Sequence, residues 1–183
     1  MITTHPFEGL RSVFKQLKKH AKHTHIDLDF TVIVHLADQS GETEYLSFRI
    51  GENEYSVEIM SVREIRGWTR TTSLPHAPDF VRGVINLRGT VLPVVDLALR
   101  LGLEETEPED RNVIIVVDVE SRVMGLRVDA VSDILSFSPD QLQPPPEMTS
   151  KSRFVRALTI LDDRMVRLLD LEEVLPSNKE VAA

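Results

Sequence analysis

From Glu44 onward the chain is built of short apolar runs, each ended by a polar or glycine-bearing turn. Tyr45 to Ile50 alternates, Gly51-Glu52-Asn53-Glu54 reads as a hairpin turn, and Tyr55, Val57 and Ile59 alternate again. Val84 to Leu87 and Thr90 to Val95 flank Arg88-Gly89, while Val113 to Val119 and Arg122 to Val128 flank Glu120-Ser121. Ala157 to Leu161 and Met165 to Leu169 are joined by Asp162-Asp163-Arg164. Runs this short bury a face only by pairing edge to edge, so a mainly β fold is expected, as small barrels or a sandwich. Ile134 to Phe137 adds a further strand, and Pro144-Pro145-Pro146 an extended connector, because proline cannot donate to a ladder. Val62 to Trp68 reads as an irregular or helical segment closed by Gly67, and Asp79 to Arg82 as a helical turn after Pro75 and Pro78. Leu97 to Leu101 and Asp170 to Leu175 read as short helices. No internal repeat stands out, although the polar connector Glu104 to Arg111 separates two β-rich halves.

Residues 1–42 have a different composition. They hold five of the six histidines and carry no net charge, so the formal charge of -8 falls on the rest of the chain. Phe7, Leu10, Phe14, Leu17 and Ala21 share one helical face, which predicts a helix over about 6–22 with Pro6 in its first turn. Ile26, Leu28, Phe30, Val32, Val34 and Leu36 recur at every second position, which predicts a strand over about 26–36. The chain therefore divides into a helix-strand extension (1–42), a main domain (43–176, with halves of roughly 43–106 and 107–176) and a tail (177–183).

An excess of 29 acidic over 21 basic residues argues against a nucleic-acid or anionic-membrane surface, which needs a basic field. With no cysteine, disulfides, thiolate zinc sites and cysteine nucleophiles are excluded. The longest aliphatic run, Val113 to Val117, is too short to span a bilayer, and Phe7 to Lys22 is too charged for a signal peptide. A cytoplasmic protein without membrane insertion is expected. The eight glycines are scattered singly, so no phosphate loop forms, and no serine sits in a nucleophile elbow. His76 is the one histidine after residue 42. His20, His23 and His25 lack an open-site pattern that would complete a metal centre, and a solvated helix end explains them better. Asp129 and Asp133 invite a paired-carboxylate reading, but a strand end and a turn account for both. No enzyme, cofactor or metal is expected.

The stretch from Gly83 to Leu97, GVINLRGTVLPVVDL, places an arginine between two oily runs. A buried guanidinium must be paired, whereas one at a hairpin tip reaches water, and Gly89 supplies the conformational freedom such a tip requires. Val62-Arg63-Glu64-Ile65-Arg66-Gly67-Trp68 shows the same mixture of charged and apolar residues. Together they suggest an interaction surface, with apolar side chains for affinity and Glu64, Arg66 and Arg88 for register, since interfaces favour arginine and tryptophan.

The series Glu44-Tyr45-Leu46-Ser47-Phe48, Val62 to Gly67 and Phe80 to Leu97 strongly resembles the CheW family, the coupling proteins of bacterial chemotaxis. Gly125 to Leu135 and Asp163-Arg164-Met165 … Leu169-Asp170-Leu171 continue the resemblance, which covers about residues 43 to 176. It implies two SH3-like five-stranded β-barrel subdomains with short helices around one hydrophobic seam. It also implies a non-enzymatic adaptor that couples the cytoplasmic tip of methyl-accepting receptors to the regulatory domain of a CheA-type histidine kinase, recruited to membrane-associated arrays. Carried over by motif, Val62, Glu64 and Arg88 are the receptor-binding candidates, with Glu64 and Arg88 either paired across a groove or meeting the receptor directly. Gly83 is expected to permit a close backbone approach, and no residue is assigned to the kinase. The alternatives are a CheW-like scaffold of a non-motility kinase pathway, and a metal-binding or enzymatic protein that uses the histidine-rich extension. Three features depart from the family: residues 1–42 are longer than its usual leader, Arg156-Ala157-Leu158-Thr159 replaces glycines, and Arg167 replaces an aliphatic residue, facing water or an interface.

Overall fold

A computed structural model describes residues 28–29, 41–104, 111–146 and 153–181. The helix expected over 6–22, most of the strand expected over 26–36 and most of the 104–111 connector lie outside these residues, as do His20, His23 and His25. Ten strands follow one another in the main domain: β2 (Thr43–Ile50), β3 (Asn53–Glu58), β4 (Val62–Gly67), β5 (Val81–Leu87), β6 (Thr90–Asp96), β7 (Val113–Val119), β8 (Arg122–Val128), β9 (Ala130–Phe137), β10 (Val155–Leu161) and β11 (Arg164–Leu169). From the extension, β1 (Leu28–Asp29) pairs with Ile65 and Glu64 at the edge of β4. Three single-turn helices are α1 (Leu97–Arg100), α2 (Leu171–Val174) and, within the tail, α3 (Asn178–Val181).

Each expected hairpin forms at its expected turn, because a two-residue turn and period-2 alternation are local instructions. Val62–Gly67 is different: it is a strand, not an irregular or helical segment. A bulge shifts its register between Val62 and Glu64, so Val62 and Ile65 face one core while Glu64 turns to the opposite side. That spacing of three mimics a helix. Asp79 to Arg82 holds one turn, closed by Val81 N–H donating to Pro78 O, and Val81 already begins β5.

The strands form two sheets, ordered β1-β4-β7-β8-β6-β5 and β10-β11-β3-β2-β9. The sheets do not follow the division expected near residue 106. Each half of the chain runs hairpin, strand, hairpin, helix, and each gives its first hairpin to the other half's sheet: β2–β3 joins β9, β10 and β11, and β7–β8 joins β4, β5 and β6. The repeat extends to register and pairing direction. Bulges recur at Val81/Gly83 and Val155/Ala157, and parallel pairings at β6 with β8 and β11 with β3. Phe80 corresponds to Phe154, Arg82 to Arg156, Asp96 to Asp170 and Leu97 to Leu171, at one constant offset.

Both sheets curl. Thr72, beyond β4, bridges Val84 in β5, and Gln143, beyond β9, bridges Leu158 in β10, so segments following one edge strand reach the other edge. The central core lies between the sheets and draws Leu46, Phe48 and Val57 from one and Val95, Ile115, Val117 and Leu126 from the other. Each sheet also encloses a smaller core, Tyr45, Leu135, Phe137 and Leu168 in one and Ile85, Leu92, Val94, Ile114 and Val116 in the other. Strand β7 is thus buried on both faces, and each of its four central aliphatic side chains contributes about 1.5–3 kcal/mol. The halves meet at Arg100, whose guanidinium lies 4.5 Å from the Phe80 ring and 5.3 Å from that of Phe154 while its Nε donates to Val174 O at 2.7 Å.

Candidate partner-binding site

The β5–β6 tip carries Arg88 at φ 49 and Gly89 at φ 89, as a two-residue turn with both central residues left-handed requires. Gly89 N–H donates to Asn86 Oδ1 at 2.7 Å and locks the turn. Left-handed backbone costs a residue with a Cβ about 1–2 kcal/mol, so arginine stands here against local preference. Its side chain is 62% exposed, and Nη2 lies 3.3 Å from Oε2 of Glu64.

Glu64 is held on β4 opposite Val116, facing the smaller core of its sheet, with its side chain 7% exposed. Arg66, two residues along the strand and 19% exposed, brings Nη1 to 3.7 Å from Oε1 of Glu64. One carboxylate is therefore flanked by two guanidiniums, one sheltered and one in solvent. A buried carboxylate is tolerated only with such compensation. Because β4 and β5 occupy opposite ends of the five main-domain strands of their sheet, the Glu64–Arg88 pair also ties those ends together. In the free chain Glu64 and Arg88 do pair, but within one sheet and not across a groove between the two.

The other two candidates have internal surroundings. Val62 is 4% exposed within the central core, so its side chain offers a partner no surface and instead seats β4. Gly83 does permit a close approach, but to the chain's own Thr72: at φ +128, a Cβ there would fall 2.2 Å from Thr72 O. Val91 is 66% exposed and pairs with Asn86 on the same hairpin as Arg88, adding apolar surface beside the charge. Its place in the run Val91-Leu92 hid it, since an aliphatic pair reads as core until the hairpin register is known.

Sequence reasoning also missed the network behind the hairpin. Asp96 accepts from Arg82 Nε at 2.8 Å and from Arg127 Nη1, and its second oxygen accepts from Leu99 N–H at 3.2 Å to cap α1. Arg127 also donates to Asn112 Oδ1 at 3.1 Å and lies 5.7 Å from the Trp68 ring. The signal was the Asp96-Leu97 cap beside charged residues in the apolar strands β5 and β8. Asp129 sits at a strand end and accepts from Gly51 N–H at 2.7 Å, while Asp133 lies within β9 and not in a turn. Arg167 is half-buried on β11, and its guanidinium lies 5.6 Å from the Tyr55 ring. Among the described residues no three His, Cys, Asp or Glu side chains gather as a metal set, and no helix is long and apolar enough to cross a membrane. This arrangement presents a charge and an apolar side chain on a braced hairpin, which suits recognition.

Residues 44–179 match the family described as CheW-like domain. Chemotaxis protein CheW of Rhizobium meliloti (strain 1021) is 51% identical over 146 residues, which is 79% of this chain and 94% of the relative. Chemotaxis protein CheW of Klebsiella aerogenes is 37% identical over 146 residues, covering 79% of this chain and 88% of the relative. Among solved structures, the scaffolding protein TtCheW from Thermoanaerobacter tengcongensis superposes with a TM-score of 0.70 at 30% identity, over 76% of this chain and 97% of that one.

Proposed function

The chain belongs to the CheW family, and from that premise we propose that the Arg88 hairpin, braced by Glu64, is the surface that grips a chemoreceptor. The protein is a non-enzymatic chemotaxis adaptor that couples methyl-accepting receptors to a CheA-type histidine kinase. Its place is the cytoplasm, recruited to membrane-associated receptor arrays. The family match spans residues 44–179, which supports assigning the adaptor role to the main domain.

The observation that carries the site is the exposed guanidinium held in left-handed backbone at a hairpin tip. A turn alone would favour glycine or asparagine there. Glu64 orients that guanidinium, Val62 and Gly83 fix the strands beneath it, and Val91 supplies apolar contact area. Arg88→Gly tests this directly, because glycine keeps the left-handed turn and removes only the side chain. Titrated with a helical-hairpin fragment of a receptor's cytoplasmic tip, this variant is expected to bind about tenfold more weakly while keeping a single cooperative melting transition. Unchanged affinity would place the receptor elsewhere.

A further inference from the structure

The receptor-site reading leaves one element unused. Arg66 sits beside Glu64, yet its Nη1 stops 3.7 Å from Oε1, beyond hydrogen-bond reach. Glu64 Oε1 and Arg66 Nε are both buried and without a hydrogen bond. Oxygen Oε2, by contrast, faces Arg88 at 3.3 Å. The carboxylate therefore has one guanidinium engaged and a second poised within an ångström of engagement.

We infer that Arg66 is a standby counter-ion that frees Arg88 to pair with an acidic side chain of the receptor. This rests on the receptor-binding role of Arg88 proposed above. In the free chain Arg88 neutralises Glu64. If a partner carboxylate drew Arg88 away, a buried Glu64 without Arg66 would be left uncompensated, which is the costly way to break an ion pair. With Arg66 in place, a shift of under an ångström closes the Arg66–Glu64 pair, and the cluster stays neutralised while Arg88 bonds outward. The exposures fit this division of labour: Arg88, 62% exposed, can leave the site, and Arg66, 19% exposed, already lies against the carboxylate. Arg66 is thus a positioning residue that needs no contact with the receptor itself.

The test is a calorimetric titration of the full chain with the same receptor-tip fragment. Arg66→Ala is expected to weaken binding by about tenfold, and Arg66→Lys to restore it to within about twofold. In a Glu64→Gln background, where releasing Arg88 strands no charge, Arg66→Ala should change affinity by less than about twofold. Equal loss in both backgrounds would mean that Arg66 touches the receptor and would overturn the inference, as would no loss in either. If Arg66→Ala fails to fold, Arg66→Met, which keeps the apolar stem, serves in its place. Raising salt from about 50 to 500 mM should weaken the wild type and largely spare Arg88→Gly, because the pairing with a partner acid is screened; equal weakening of both overturns the acidic partner. Arg88→Gly separates the two levels: if it binds normally, the receptor site itself is wrong, whereas a loss there with no effect from Arg66 sinks the standby role alone.

Discussion

The two halves of the main domain share a backbone and differ in their charges. Val62-Arg63-Glu64-Ile65 on β4 corresponds to Val131-Ser132-Asp133-Ile134 on β9: Glu64 pairs with Val116 on the exchanged hairpin of one sheet, and Asp133 with Ser47 on that of the other. The turn Arg88-Gly89 corresponds to Asp162-Asp163, and both turns use two left-handed residues. So the site position that holds a carboxylate and a guanidinium in one sheet holds two acids, Asp133 and Asp162, in the other. The apolar pattern is repeated because both sheets must bury the same faces. The charge pair is not repeated, so burying the shared apolar faces does not require it, and it agrees with the recognition role proposed for Arg88.

The largest contrast is expected at the helix caps. Asp96 and Asp170 both cap a single-turn helix, but Asp96 also neutralises Arg82 and the buried Arg127. Asp96→Ala should cost about 3–5 kcal/mol by stranding buried charge, and Asp170→Ala only about 1 kcal/mol of capping, both read by chemical denaturation. Equal costs would mean that the Arg127 network adds nothing.

Gly83 and Ala157 occupy equivalent bulges. Gly83 is left-handed and lies against Thr72 O, whereas Ala157 keeps ordinary backbone. Gly83→Ala should therefore destabilise by about 3 kcal/mol, and Ala157→Gly by about 1 kcal/mol at most. Ala157 stands where the family has a glycine, in backbone that a residue with a Cβ adopts without strain. A mild Gly83→Ala would show that Thr72 and its loop can move aside.

Smaller effects follow from charge grafting. Asp162→Arg recreates the Arg88 position opposite Asp133; the new exposed pair should be worth about 0.5 kcal/mol and create no second receptor site. New receptor binding there would mean that the charge pair alone suffices. The smallest effect concerns Glu44, a buried acid whose counterpart in the other half is Val113: they pair with the equivalent residues Ser136 and Gly67. Loss of water holds the Glu44 carboxyl above its ordinary value of 4.5. The folded chain thus binds that proton more tightly than the unfolded chain does. Stability contributed below pH 4.5 is lost as pH rises toward the folded value. Glu44→Gln removes this loss, so the gap between its melting temperature and that of the wild type should shift in the variant's favour between pH 4 and pH 7. A constant gap would show that Glu44 titrates normally.

Hairpin positions, the two short helices and the CheW motifs were legible in the amino-acid sequence, because turn chemistry and period-2 alternation act over a few residues. Arg88 as an exposed hairpin tip was legible for the same reason. The capping role of Asp96 was not, and neither was the exchange of hairpins. The halves repeat in order, but nothing local says that β2–β3 pairs with β9 and β11 and not with β4 and β6. Val62–Gly67 was misread because its bulge depends on its partner β7, and Val62 looked like contact surface until its strand was placed beneath the central core. Arg66 gained its role only when β4 and the β5–β6 tip were brought together around Glu64. Local preferences determine which strands form; long-range pairing decides which faces are buried, and so which charges are left to meet a partner.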